Sequence, residues 1–239
     1  MTTIDAVPVY RSEPEGVPRG AIVLIHEIWG LVDHIKAVAD RYSREGYLVL
    51  APDLLSEVGI TPEVGEGLSG IYAEPDEAKR TAMQPQLREA LAPARAPEFG
   101  DKAVAALKAV VDHLVTEPGI DDRIAVTGFC FGGTYSFALA ANDERVRAAI
   151  AFYGTAPSSE KIADIRCPIL ALYGENDPPI VERLPAVRAQ MADAGVDFID
   201  HVYPGALHAF FNDTNQRTYD PEAAADAWRR TLAFLDARL

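Results

Sequence analysis

A cysteine does covalent chemistry only when its surroundings favour the thiolate and leave the sulfur accessible. The chain has two cysteines, and Cys130 lies in the run Gly128-Phe129-Cys130-Phe131-Gly132-Gly133. A G-x-C-x-G pattern between a strand-like and a helix-like segment describes a turn tight enough to push its central side chain out of a sheet into a cleft. Small neighbours are needed there so that strand and helix can approach. The helix that follows aims its N-terminus at the sulfur, and the Phe131 N–H is placed to donate to an oxyanion. Two other readings compete. A lone cysteine at a strand end can be a small buried residue, and glycine-rich turns can cradle phosphate. The spacing is neither G-x-G-x-x-G nor a P-loop, which weighs against a nucleotide site.

Further along, Asp177 follows a strand-like run in Tyr173-Gly174-Glu175-Asn176-Asp177-Pro178, and His208 stands in Tyr203-Pro204-Gly205-Ala206-Leu207-His208-Ala209-Phe210. The chain order nucleophile, acid, histidine is that of α/β-hydrolases. In that arrangement the imidazole handles the nucleophile's proton and the carboxylate fixes the imidazole tautomer. Asp177 could instead cap a helix, and His208 could be one of five ordinary histidines; their joint order at strand ends favours chemistry. Glu27, in His26-Glu27-Ile28-Trp29-Gly30, leaves an apolar strand at the same sheet edge, with the Ile28 N–H beside it. Asp33 is the better placed helix cap, and His26 reads as a structural strand-end residue.

Positioning these residues requires alternating strands and helices. Short runs rich in Val, Ile and aromatics predict strands at Ala21 to His26, Tyr47 to Ala51, Arg123 to Gly128, Ala148 to Tyr153, Pro168 to Tyr173 and Asp197 to Tyr203, each nearly continuous in apolar character as strands buried on both faces should be. Helical spacing fits Val32 to Glu45, Asp101 to Val115, Gly133 to Ala141, Val181 to Ala194 and Pro221 to Ala237. The fold class is α/β, a mainly parallel central sheet with helices on both faces, forming one domain over residues 1–239. The proline-bearing opening to Arg19 suggests an edge strand or hairpin. Between Leu54 and Phe99 glycines give way to a charged, alanine-rich stretch, too long for an ordinary connection, which predicts a partly helical insertion over the sheet that shapes a ligand site.

Composition agrees with a packed core: 49% of residues are hydrophobic and 24% charged, with a mean hydropathy of -0.01. A net charge of -14 disfavours nucleic acid and anionic lipid surfaces as partners. No run is long and apolar enough for a membrane span, and the start lacks a signal-peptide pattern, which predicts a soluble cytoplasmic protein. The cysteines are too few for a disulfide framework, and no Cys/His cluster suggests zinc or another metal.

Taken together, H-E-I-W-G at His26 to Gly30, A-P-D-L at Ala51 to Leu54, G-F-C-F-G-G at Gly128 to Gly133, G-E-N-D at Gly174 to Asp177 and Y-P-G-A-L-H-A-F-F at Tyr203 to Phe211 resemble the dienelactone hydrolase family. This family, also called carboxymethylenebutenolidases, comprises cysteine members of the α/β-hydrolase fold, and the resemblance spans nearly the whole chain. It implies a Cys130, Asp177 and His208 triad, an oxyanion hole from the Ile28 and Phe131 N–H groups, and a Glu27 carboxylate that holds the resting thiol. It also implies hydrolysis of a small lactone or ester through an acyl-enzyme, without cofactor or metal, by a monomer or small homo-oligomer. Family members hold a substrate carboxylate with two arginines. Asn212 stands where the second would fall, and Arg80 matches the first, with Lys79 and Arg88 as neighbours in competition. Trp29, Tyr72, Met83 and Phe210 are candidate substrate contacts, and Cys167 is expected to be a buried structural thiol. The alternatives are a same-fold esterase or thioesterase with another acyl substrate and a non-catalytic thiol sensor or binding protein.

Overall fold

The computed structural model describes all 239 residues. The chain opens with an antiparallel hairpin, β1 (Thr2–Ile4) and β2 (Val7–Ser12). Its two turn residues, Asp5 and Ala6, both have positive φ, as a two-residue turn matched to the strand twist requires. Then follow β3 (Gly20–Ile25), α1 (Asp33–Arg44), β4 (Tyr47–Pro52), α2 (Pro62–Ala73), α3 (Glu77–Ala82), α4 (Gln84–Ala90), α5 (Phe99–Val115), β5 (Ile124–Phe129), α6 (Phe131–Asn142) and β6 (Val146–Phe152). The last third contains α7 (Ser159–Ile162), β7 (Ile169–Asn176), α8 (Pro178–Val181), α9 (Leu184–Asp193), β8 (Phe198–Leu207) and α10 (Pro221–Asp236).

The eight strands form one sheet in the order β1-β2-β4-β3-β5-β6-β7-β8. From β4 to β8 all pairings are parallel, and the opening hairpin joins the β4 edge antiparallel. After β3 the chain steps outward to β4, then returns to place β5 on the other side of β3. That reversal is a topological switch point, where open α/β sheets leave a crevice at the carboxyl ends of their strands. Glu27 follows β3 and Cys130 follows β5, so both emerge at this crevice.

Every residue of β3, β4 and β5 is buried, within a hydrophobic core of 71 residues. At about 1.5–3 kcal/mol for each large apolar side chain removed from water, this platform is far better held than the insertion. Between 56 and 98 the buried residues are Ile60, Gly65, Leu68, Leu87, Leu91 and Ala94, set against a backbone cost of about 1–2 kcal/mol for each ordered residue. The insertion is helical, as expected, with α2, α3 and α4 and two short 3-10 turns.

Three local expectations are corrected. The last strand is not buried on both faces: β8 is the sheet edge, and Ile199 and Leu207 are 44% and 37% exposed. The helix expected over Val181 to Ala194 begins later, as α9 from Leu184 with Pro185 in its first turn, and Val181 is instead the last residue of the short α8; proline lacks the N–H that a continuous helix needs and restricts the residue before it. Asp33 does not cap α1. The N-cap is Val32, without a side-chain bond, and the Asp33 N–H donates instead to Glu66 of α2 at 3.1 Å.

Candidate active site

The turn at Cys130 is as tight as its glycines suggest. Cys130 adopts φ +56° and ψ -111°, a region that L-residues occupy only where the surroundings enforce it. The enforcement is steric and hydrogen-bonded. A Cβ on Gly128 would lie 2.2 Å from the Gly132 carbonyl oxygen, and one on Gly132 would lie 2.2 Å from that of Ile25. The Cys130 N–H donates to Phe152 O at 3.0 Å, and its carbonyl accepts from Thr134 N at 3.1 Å to start α6. Glycine at 132 therefore lets α6 abut the end of β3, which brings the His26 to Gly30 loop beside the sulfur. Neither the Ile28 nor the Phe131 N–H makes a hydrogen bond among the turns, loops and caps around the site.

Asp177 stands at the N-cap position of α8, yet its side chain makes no cap bond. It accepts from His208 Nδ1 at 2.5 Å instead. This pair brings the ends of β7 and β8 together with the help of Asn176, whose Nδ2 donates to Gly205 O at 2.9 Å. With Nδ1 committed to Asp177, the other imidazole nitrogen is the one left for Cys130, whose sulfur lines the same cavity and is near enough to act on the ring's charge. Burial by itself disfavours a charged His208. A charge on the Cys130 sulfur and the bond to Asp177 overcome it and raise the pKa to about 11, which favours an imidazolium whenever that sulfur is a thiolate.

Glu27 is buried, 1% exposed. Its Oε2 accepts from Asn212 Nδ2 at 2.7 Å and its Oε1 from Tyr153 OH at 3.4 Å. Tyr153 follows β6 with a strained φ of +39°, and burial and then the Glu27 and Cys130 charges push its hydroxyl pKa well above the usual range. Tyr153 therefore stays a neutral donor. His26 is a structural clasp: its Nε2 accepts from Leu54 N at 3.1 Å, so Nδ1 carries the proton and donates to Glu27 O at 2.7 Å.

Cys130, His208, Glu27, Ile28, Trp29 and Tyr72 line one cavity of about 280 Å³, closed by Gln84, Leu87, Arg88, Leu91 and Arg95 of the insertion and by Ala209. A larger surface groove of about 630 Å³ lies at the opposite strand ends. Its three arginines are already engaged, Arg145 by Asp143 and Asp112, Arg147 by Asp122 and Arg166 by the Ala163 and Ile165 carbonyls. Its thiol, Cys167, is 6% exposed, and burial lifts its pKa to about 12.

Four of the expected substrate contacts lie elsewhere. Arg80 bonds the Glu74 and Pro75 carbonyls, because it sits in the last turn of α3 and curls back over that helix's start. Phe210 is fully buried, packed between the Tyr153 and Tyr203 rings. Asn212 is buried behind Glu27, and Met83 is half-buried outside the cavity wall. Sequence reasoning passed over Gln84, Leu87, Leu91 and Arg95, although positions 84, 88, 91 and 95 recur at intervals of three or four, the spacing of a single helical face. Tyr153 carried no such signal.

The family model for the dienelactone hydrolase family matches residues 7–239. A protein of Saccharolobus solfataricus named "Putative carboxymethylenebutenolidase" is 35% identical over 248 residues, covering 96% of this chain and 93% of that protein. "Protein usf" of Aquifex pyrophilus is 33% identical, with 94% of this chain and 90% of that protein covered. Among solved structures, a "Putative Dienelactone Hydrolase" from Klebsiella pneumoniae superposes with a TM-score of 0.80 at 28% identity, covering 96% of this chain and 92% of that one.

Proposed function

The chain belongs to the dienelactone hydrolase family of carboxylic ester hydrolases, and from that premise we propose that it cleaves small lactones or esters with Cys130 as nucleophile. The observation that carries this reading is the strained Cys130 on the wall of a cavity it shares with His208, whose imidazole is itself bound to Asp177.

In the proposed reaction the Cys130 sulfur attacks the carbonyl carbon, and the carbonyl π electrons move to oxygen. The Ile28 and Phe131 N–H groups hold this oxyanion. The tetrahedral adduct collapses by breaking the carbon–oxygen bond, and His208 gives its proton to the departing oxygen. In a lactone that oxygen stays tethered to the acyl group. Water then attacks the thioester, His208 accepts the water proton, and the acid product leaves as the sulfur is released. Asp177 keeps the imidazole in one tautomer throughout. Before substrate arrives the thiol proton is held toward the Glu27 carboxylate on the same cavity wall; as substrate displaces that carboxylate the proton passes to His208, and the resulting thiolate is what attacks. The thiol and imidazole supply both nucleophile and proton shuttle, so this chemistry calls for no cofactor or metal.

Arg88 and Arg95 put two exposed guanidinium groups on the cavity wall, which favours an acyl substrate with its own carboxylate. Arg88, a competitor of Arg80 in the sequence, thus takes the first arginine's part, and Arg95 supplies the second charge that Asn212 cannot. The test is hydrolysis of p-nitrophenyl acetate, a dienelactone and a neutral lactone by wild type, Cys130→Ala and an Arg88→Gln/Arg95→Gln variant. Cys130→Ala should lose at least about a thousandfold in kcat/KM on every substrate, and normal turnover by it would end the cysteine assignment. The double arginine variant should raise KM for the dienelactone about tenfold or more while sparing the neutral substrates. Equal effects on all three would remove the carboxylate-binding role.

A further inference from the structure

Tyr72 and Trp29 form the aromatic side of the cavity, with ring centroids 5.5 Å apart. They are held in different ways. Trp29 belongs to the loop after β3, anchored in the core. Tyr72 ends α2, a helix with glycines at 65, 67 and 70. Only the first of these is sterically demanded: a Cβ on Gly65 would sit 1.7 Å from the Trp29 carbonyl oxygen, whereas Gly67 and Gly70 face open space. Such a helix has little intrinsic rigidity. Its first half is fixed by contact with the Trp29 backbone, and its second half needs another support.

Arg217 supplies one. Its guanidinium lies 4.7 Å from the centre of the Tyr72 ring, and its Nη2 donates to the Tyr72 carbonyl at 3.4 Å. Its Nε is buried without an acceptor, so the ring face and the helix-end carbonyl are what hold the side chain there. The base of Arg217 is rigid: its N–H donates to Asn215 Oδ1, and the Asn215 N–H donates to Asn212 O. Arg217 therefore ties the end of α2 to the loop that carries His208.

We propose that Arg217 is a positioning residue that sets the width of the substrate cavity by holding Tyr72 against Trp29. The contact selects for compact acyl groups, and its loss lets the end of α2 swing out and admits bulkier ones. This rests on the reading of the cavity as the acyl site, but its primary test needs no turnover. Alkylation of Cys130 by iodoacetamide and by N-phenylmaleimide is followed by intact mass in wild type, Arg217→Ala, Arg217→Lys and Tyr72→Leu, with Cys130→Ala as the blank for Cys167.

The ratio of phenylmaleimide to iodoacetamide rates should rise about fivefold in Arg217→Ala, the effect on a closed-to-open equilibrium of losing one partly shielded cation–π contact. Tyr72→Leu should shift it in the same direction. Arg217→Lys, which keeps a cation over the ring, should fall between Arg217→Ala and wild type, and it serves as the informative variant should Arg217→Ala fail to fold. An unchanged ratio in folded Arg217→Ala overturns the proposal, as does a shift in both arginine variants that Tyr72→Leu does not share; where Arg217→Ala does not fold, an unchanged ratio in Arg217→Lys overturns it. In a p-nitrophenyl ester series, the same variants should move the preference from acetate toward hexanoate. A shifted alkylation ratio in a protein that hydrolyses no ester would uphold the width assignment and reject the hydrolase reading on its own.

Discussion

At the residue scale, the site's electrostatics depend on His208 standing between the Cys130 sulfur and Asp177. Burial works against its charge, so removing a partner should let the pKa fall. In Cys130→Ala the imidazole pKa should drop well below about 11, which NMR of the ring nitrogens would register; no movement would mean that the sulfur contributes nothing to it. The folded pKa lies above the ordinary imidazole value of about 6.5. His208 thus adds its full stability below that value and surrenders it as pH climbs toward about 11. Asn212 offers a second residue-scale test, because its Nδ2 lies 2.7 Å from Glu27 Oε2. Asn212→Asp sets two carboxylates face to face, which must then share a proton. The variant should lose about 1–3 kcal/mol of stability at pH 8 and markedly less at pH 5, measured by denaturant unfolding. An equal loss at both pH values would mean that the two side chains do not meet.

Among the elements, glycine has opposite meanings in α6 and α2. Gly132→Ala forces a methyl group to within 2.2 Å of the Ile25 carbonyl, and should cost about 3 kcal/mol or prevent folding. Gly67→Ala and Gly70→Ala meet open space and should each stabilise by about 0.5–1 kcal/mol, read as a raised Tm; a lowered Tm would show that α2 needs its weak positions to reach its seat. The buried strands were legible because strands covered on both faces must be apolar throughout, which marks β3, β4 and β5 plainly. The edge strand β8 was misread for the same reason: Phe198, Ile199 and Val202 look like core residues in a sequence, and only its last place in the sheet order leaves Ile199 exposed. In the site, Cys130, Asp177, His208 and Glu27 could be named because each sits on a short motif at a strand end. The cavity's outer wall could not, because which side of α4 faces the sheet depends on how the insertion folds back, and nothing local in the sequence encodes that.

For the whole molecule, the net charge of -14 implies self-repulsion in the folded state that salt should relieve. The ion pairs oppose this trend, but most are exposed; Arg229 and Arg230 with Asp226, for example, join arginine side chains that are 75% and 45% accessible, and such pairs contribute little. The Tm should therefore rise by about 1–3 °C between 10 and 150 mM salt. A fall would show that the ion pairs outweigh the repulsion.

The insertion leaves and re-enters the core at two fixed posts. At one, the Leu54 N–H donates to His26; at the other, the Phe99 ring packs 5.9 Å from that of Phe131. Neither post depends on what lies between them. Residues 56–98 thus form an interchangeable cassette: a different sequence spliced between the same posts would reshape the roof of the cavity and leave the machinery beneath it intact. A scaffold built this way can acquire new substrates by exchanging one segment, without renegotiating its core.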